Sequence, residues 1–198
     1  EAFRDGVILA YEMNGQPLTP PFGYPLRLIV PHWYGMASVK WLGSIIVLDH
    51  EFHGYYMDKA YRIKSSEDES GIPITLQKVR SLIHPPGVRF RRCGQRLLKT
   101  GPIDLQGKAW AGRHSVIRVE ISFDSGSTWH DTELKYNSQG FAWTSWTFPW
   151  IAEKGQFEIM SRATASDGSA QPLLAPWNYL GMENNSVQSL SVVVDQPD

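Results

Sequence analysis

Residues 116–123 read VIRVEISF, and the side chains change character at every second position. Ile117, Val119, Ile121 and Phe123 share one face of an extended strand, with Arg118, Glu120 and Ser122 on the other. A helix cannot satisfy this period, because its repeat is 3.6 residues rather than two. The DSGST that follows at 124–128 supplies the turn residues of a hairpin.

The same texture runs along most of the chain. Further strands are expected at 78–83, 103–110, 129–134, 142–150, 156–163 and 187–194, each bounded by turn residues. This spacing of short strands is that of an immunoglobulin-like sandwich without a cysteine pair. Five of the eight tryptophans fall between residues 110 and 150, and Trp146, Phe148 and Trp150 share a face. Large rings of this kind suit the space between two packed sheets. Upstream, Pro17, Pro20, Pro21 and Pro25 forbid a long helix, and Asn14-Gly15 is a turn dipeptide. Leu26, Leu28 and Val30 alternate with Arg27 and Ile29 as a partly buried strand would. A polar, acidic SSEDESG at 65–71 separates the two textures and reads as a linker.

Composition narrows the function classes. A net charge of −1 gives no electrostatic case for a nucleic-acid or anionic-membrane partner. The longest aliphatic run, residues 45–48, is far short of a membrane span. One cysteine, Cys93, excludes an internal disulfide framework and a multi-cysteine zinc site. The opening EAFRDG has no initiating Met, so the chain reads as processed or truncated.

Motifs for chemistry are sparse. His50 and His53 in DHEFH are three apart and do not match HExxH. Arg89, Arg91, Arg92, Arg96 and Lys99 surround Cys93 as an exposed charged strand or loop, or as an anion contact within a larger protein. No Ser-His-Asp order, phosphate loop or dinucleotide fingerprint is present. Lys40 is the odd residue in PHWYGMASVKWLG at 31–43: it is either a strand lysine snorkelling to water or a contact to an anionic ligand.

An ordered set of blocks resembles the sulfite oxidase family of molybdopterin enzymes, and its bacterial members most. They are AYEMNG at 10–15, GYPLRLIVP at 23–31, GMASVKWLG at 35–43, the Tyr61 region, VIRVEISFDSGSTW at 116–129, AWTSWTF at 142–148 and APWN at 175–178. The resemblance implies a mainly β chain: the C-terminal part of a molybdenum-cofactor domain at 1–63, a linker at 64–76, and an immunoglobulin-like dimerisation domain at 77–198. It implies a molybdenum–molybdopterin cofactor held in part by Arg27, Ser38, Val39 and Lys40, with Trp33, Tyr34 and Trp41 packing the pocket wall. Tyr61 would hydrogen-bond the oxyanion substrate, with Tyr55 and Tyr56 as nearby alternatives. The implied reaction is oxygen-atom transfer to sulfite, giving sulfate, with electrons passed to a cytochrome c or another acceptor. The implied partners are the rest of the cofactor domain and a second copy through the sandwich, and the implied compartment is the periplasm. A nitrate reductase-like oxidoreductase of the same fold, or a non-catalytic β-sandwich module, is the alternative. Two positions depart from the family pattern: Phe22 stands where relatives commonly have histidine, and Leu180 where animal and plant enzymes have an anion-binding arginine. Cys93 lies outside any matching block, and the family's molybdenum thiolate belongs to a part not in this sequence.

Overall fold

The computed structural model describes residues 4–89, 94–137 and 140–195. Cys93, Arg91 and Arg92, the centre of the basic patch, lie outside the described residues. The fold is mainly β and divides into two compact units, 1–77 with 176–184, and 78–175 with 185–198.

The first unit is built from short strands and turns. β1 (Ile8–Ala10) pairs antiparallel with β4 (Arg27–Ile29), β2 (Glu12–Met13) with β3 (Gln16–Pro17), and β5 (Arg62–Ile63) with β6 (Ile72–Pro73). Residues 65–70, expected as linker, form an acidic turn inside this unit. Arg62 donates from Nη2 to the Gly71 carbonyl at 3.0 Å, and Lys64 from Nζ to that of Glu67 at 2.9 Å. The apolar run at 45–48 adopts no strand, and Val47 is 93% exposed.

The second unit holds the sandwich. Its strands are β7 (Arg80–Ile83), β8 (Val88–Arg89), β9 (Arg96–Lys99), β10 (Gly101–Trp110), β11 (Val116–Ser122), β12 (His130–Asp131), β13 (Glu133–Lys135), β14 (Thr144–Ala152), β15 (Gly155–Ala165) and β16 (Gln188–Asp195). Among the described residues they form a four-stranded sheet, β13-β14-β10-β7, and a six-stranded sheet, β12-β11-β15-β16-β9-β8. The core between them contains Leu105, Val119, Ile121, Trp146, Ile159, Val192 and Val194. Phe148, Trp150 and Phe123 pack at its margin, with Phe123 stacked on Trp150 at 5.0 Å. All strands expected from alternation are present with shifted ends, except that 129–134 divides into β12 and β13. β9 lies in the segment expected as an exposed charged strand or loop. It pairs parallel with β16 across the sequence.

The alternation in β11 breaks at one point. A bulge between Val116 and Arg118 shifts the register, so Val116, Val119 and Ile121 face inward while Ile117 is 54% exposed. Glu120 is buried on the other side of the pleat. It accepts from Arg162 Nε at 2.8 Å and Nη2 at 3.2 Å, and Arg118 Nη2 lies 3.1 Å away. The Arg162 guanidinium sits 4.2 Å from the Trp129 ring centroid, so this charge is paired on both its plane and its edge.

Gly107 lies where β10 crosses the Trp146 ring. A Cβ there would collide with the Leu82 carbonyl and the indole. Neither is free to yield, because Trp146 is fully buried and Leu82 O belongs to a paired strand. Gly107→Ala is expected to destabilise the chain by about 1–3 kcal/mol through overpacking. Gly140→Ala, with no atom within reach of its Cβ, is expected to change stability by less than about 0.5 kcal/mol. Urea titration, read as a shift in midpoint at constant slope, measures both.

Candidate functional site

Arg27, Ser38, Val39 and Lys40 are brought together by one chain reversal in the first unit. Pro20 and Pro21 set φ for a short 3-10 turn, Pro20–Phe22, which Gly23 ends at φ +111°. The Tyr24–Pro25 peptide is cis, and β4 follows. A second 3-10 turn, Gly35–Ala37, sends the chain back alongside it. The Leu28 amide donates to the Val39 carbonyl at 2.9 Å, the Leu42 amide to that of Leu26 at 2.9 Å, and the Val30 amide to Ser38 Oγ at 3.1 Å. Ser38 and Val39 therefore spend an oxygen each on holding β4 in place.

This pairing sets Arg27 and Lys40 side by side over Gly23. A Cβ on Gly23 would lie 3.2 Å from the Cβ of each. Both cations lean on the proline turn: Arg27 Nη1 donates to Phe22 O at 3.5 Å and Lys40 Nζ to Pro21 O at 3.1 Å. Trp41 Nε1 completes the set on Pro20 O at 2.8 Å, and its ring lies 4.6 Å from Lys40 Nζ. Arg27 Nε is buried and has no hydrogen-bond partner among the described residues. Of the aromatics expected to wall the pocket, Tyr34 lines a cleft described below, Trp33 is half-buried, and Trp41 is 60% exposed.

Two adjacent cations with unspent donors, over a glycine that leaves room for close approach, fit a phosphate-bearing ligand. Arg27 could offer a planar fork and Lys40 a point charge. Among the described residues no group of three His, Cys, Asp or Glu is placed to share a metal ion. His50 pairs with Asp49 at 2.7 Å and His53 with Asp58 at 3.5 Å.

Tyr61 lies elsewhere in the same unit. It ends the π-helical turn Tyr56–Ala60, with its amide on Tyr56 O at 2.7 Å and its ring stacked on that of Tyr56 at 5.9 Å. It lines a cleft of about 480 Å³ with Tyr34, Gly35, Met36, Ile74, Gly181, Met182 and Glu183. Arg27, Ser38, Val39 and Lys40 do not line it; Gly35 and Met36, just before Ser38, do. The wall at 181–183 comes from a distant part of the chain that folds into this unit. Asn178 shapes it, donating from Nδ2 to Met182 O and accepting from the Met182 amide at Oδ1, both at 2.9 Å. Tyr179, next along the chain, is tied to Lys64, with its amide on Lys64 O at 2.8 Å and its ring 5.5 Å from Lys64 Nζ. In the sequence Leu180 stands out in this segment, and residues 181–183 are signalled only by the APWN block beside them.

Residues 1–56 match the oxidoreductase molybdopterin binding domain, and residues 78–194 match the Mo-co oxidoreductase dimerisation domain. The chain belongs to the sulfite oxidase family of molybdopterin-dependent oxidoreductases. It is 32% identical over 199 residues to mitochondrial sulfite oxidase of Mus musculus, covering 95% of this chain and 36% of that protein. It is 33% identical over 202 residues to nitrate reductase [NADH] 2 of Phaseolus vulgaris, covering 90% of this chain and 22% of that one. The sulfane dehydrogenase SoxCD of Paracoccus pantotrophus shares the fold, with a TM-score of 0.80 at 24% identity over 98% of this chain and 52% of that one. The chain spans about a third of the length of the sulfite oxidases it matches.

The cationic strip depends on Gly23. An alanine there meets both Lys40 Cβ and Lys40 Cα, at a φ that L residues avoid. Gly23→Ala is therefore expected to loosen the pairing of β4 with residues 38–42. Hydrogen exchange should report it as at least tenfold faster exchange at the Leu28 and Leu42 amides, with the core of β15 unchanged.

Proposed function

We propose that this chain is the assembly portion of a sulfite oxidase-type molybdoenzyme. In this reading residues 77–198 join two copies and residues 1–63 close one side of the cofactor site. The observation that carries the reading is the match of residues 78–194 to the dimerisation domain. The convergence of Arg27 and Lys40 on Gly23, inside the stretch matched to the molybdopterin-binding domain, supports the second role.

Arg27 would grip the cofactor's phosphate with paired N–H donors, and Lys40 would balance its charge from the neighbouring strand. Ser38 and Val39 would fix the distance between those two cations through their bonds to β4. Bound molybdenum–molybdopterin supplies the two-electron couple for oxygen-atom transfer to sulfite. Tyr61 would donate its phenolic hydrogen to the oxyanion substrate, orienting it and spreading its charge. The remainder of the cofactor domain, with its thiolate, is the partner that completes the site. A periplasmic cytochrome c is the proposed electron acceptor.

A nitrate reductase-type reaction is the second reading. It is favoured by Leu180, which cannot pair with an anion as an arginine would, and by the similarity to plant nitrate reductases. The two readings separate in one assay of the natural full-length polypeptide. The first expects molybdenum and pterin in equal amounts with sulfite-dependent reduction of cytochrome c; the second expects the same cofactor with nitrate consumed instead. Absence of both molybdenum and pterin from that polypeptide overturns the cofactor role. The 198-residue chain alone is expected to show no sulfite turnover when supplied with cofactor.

A further inference from the structure

The Tyr61 cleft is walled by residues 34–36, by the two ends of a hairpin at 61 and 74, and by residues 181–183. The hairpin reaches the other two. β5 and β6 pair with Arg62 level with Pro73 and Ile63 with Ile72. At their open end the Ile74 amide donates to Tyr61 O at 3.0 Å. One residue on, Thr75 O accepts from the Tyr34 amide at 3.0 Å. Arg62 braces the Tyr61 side, with Nη1 on Met57 O in the preceding π-helical turn at 3.2 Å and Nη2 on Gly71 O at 3.0 Å.

The third wall is tied to the hairpin near its closed end. Residues 178–182 form a loop closed on itself: Asn178 bonds Met182 through both its side-chain polar atoms, and the Gly181 amide donates to Asn178 O at 3.0 Å. Tyr179 within this loop makes three contacts with the hairpin. Its amide donates to Lys64 O at 2.8 Å, its ring lies 5.5 Å from Lys64 Nζ, and its hydroxyl donates to Glu67 Oε2 at 3.4 Å. Lys64 is buried, and its Nζ donates to Glu67 O at 2.9 Å. A buried ammonium has lost hydration, and here a carbonyl and an aromatic face stand in for water. Displacing Tyr179 would strip one of those two partners from the charge. The turn itself is set by the Ser65 amide on Glu69 Oε2 at 2.6 Å and by Gly71 at φ +67°, where a Cβ would collide with Ile63 O.

We propose that Lys64 and Tyr179 are positioning residues of the cleft: they latch the 181–183 wall to the hairpin that carries Tyr61, and so set the space beside the phenol. The proposal rests on reading Tyr61 as the residue that meets the oxyanion. Lys64 does not line the cleft, so it acts through Tyr179. Arg62 holds the Tyr61 side through separate bonds. Slackening the latch should therefore weaken substrate binding more than the chemical step.

Hydrogen exchange on the full 198-residue chain tests the latch, and kinetics of the natural full-length holoenzyme test its role. Lys64→Met removes the ammonium but keeps the carbonyl; Tyr179→Leu removes the ring and hydroxyl but keeps the amide. Each is expected to speed exchange at the Tyr179 and Met182 amides at least tenfold, with the core of β15 unchanged. Lys64→Arg keeps a cation beside the ring and should stay within threefold of wild type. In the holoenzyme the first two variants are expected to raise KM for sulfite at least fivefold with kcat within twofold, and Lys64→Arg to restore KM; nitrate is the probe under the second reading. Unaltered exchange in folded variants overturns the latch. Faster exchange with KM unchanged overturns the positioning role and leaves Tyr61 as read. Tyr61→Phe separates the two readings: it should lower kcat at least tenfold, and a normal kcat overturns the Tyr61 reading and the positioning role with it. If either latch variant is misfolded by circular dichroism, the other decides.

Discussion

The side chain that Gly23 lacks governs how the two cations of the first unit are set. Because nothing projects there, β4 and the returning strip at 38–42 can close over the proline turn until the Cβ atoms of Arg27 and Lys40 flank it. Two like charges set this close repel, and the turn answers by offering three backbone carbonyls, from Pro20, Pro21 and Phe22, to Trp41, Lys40 and Arg27. The carbonyls are neutral, so they orient the cations without cancelling them. An anion arriving at the strip would meet donors already aligned, and little side-chain entropy would remain to be lost on binding.

The two units solve different problems. The sandwich is held by area: two sheets enclose aromatic and aliphatic side chains, and the buried carboxylate of Glu120 is paired with two arginines. The first unit has short strands, turns held by side-chain-to-backbone bonds, and an uncovered run at 45–48. Its exposed apolar residues include Ile45, Ile46 and Val47, and the chain spans about a third of the length of the sulfite oxidases it matches. Two candidate features gather in it, the cations over Gly23 and the Tyr61 cleft, and they remain distinct within the unit.

The sandwich was legible in the sequence because period-two alternation is a local signal, read within six or eight residues. It failed where a local rule met a non-local one. Ile117 continues the pattern in VIRVEISF, yet a bulge turns it outward, since pairing with β15 sets the register from 40 or so residues away. β9 was hidden among arginines, because its partner β16 lies at the other end of the domain. At the candidate site, residue type and family resemblance picked out Arg27 and Lys40, but not the means that unites them. No pattern around FGYP announces a left-handed glycine beneath two cations. The wall of the Tyr61 cleft was also out of reach, because residues 181–183 join the first unit only in three dimensions.

The proposed hold of Arg27 and Lys40 on an anionic cofactor can be measured. Its most direct test is the pterin and molybdenum content of the natural full-length polypeptide carrying Arg27→Ala and Lys40→Ala, isolated beside the wild type. The account predicts at least a tenfold loss of bound pterin, with molybdenum lost in parallel and the far-ultraviolet circular dichroism and oligomeric state unchanged. Pterin retained at the wild-type level in a folded double variant would contradict it.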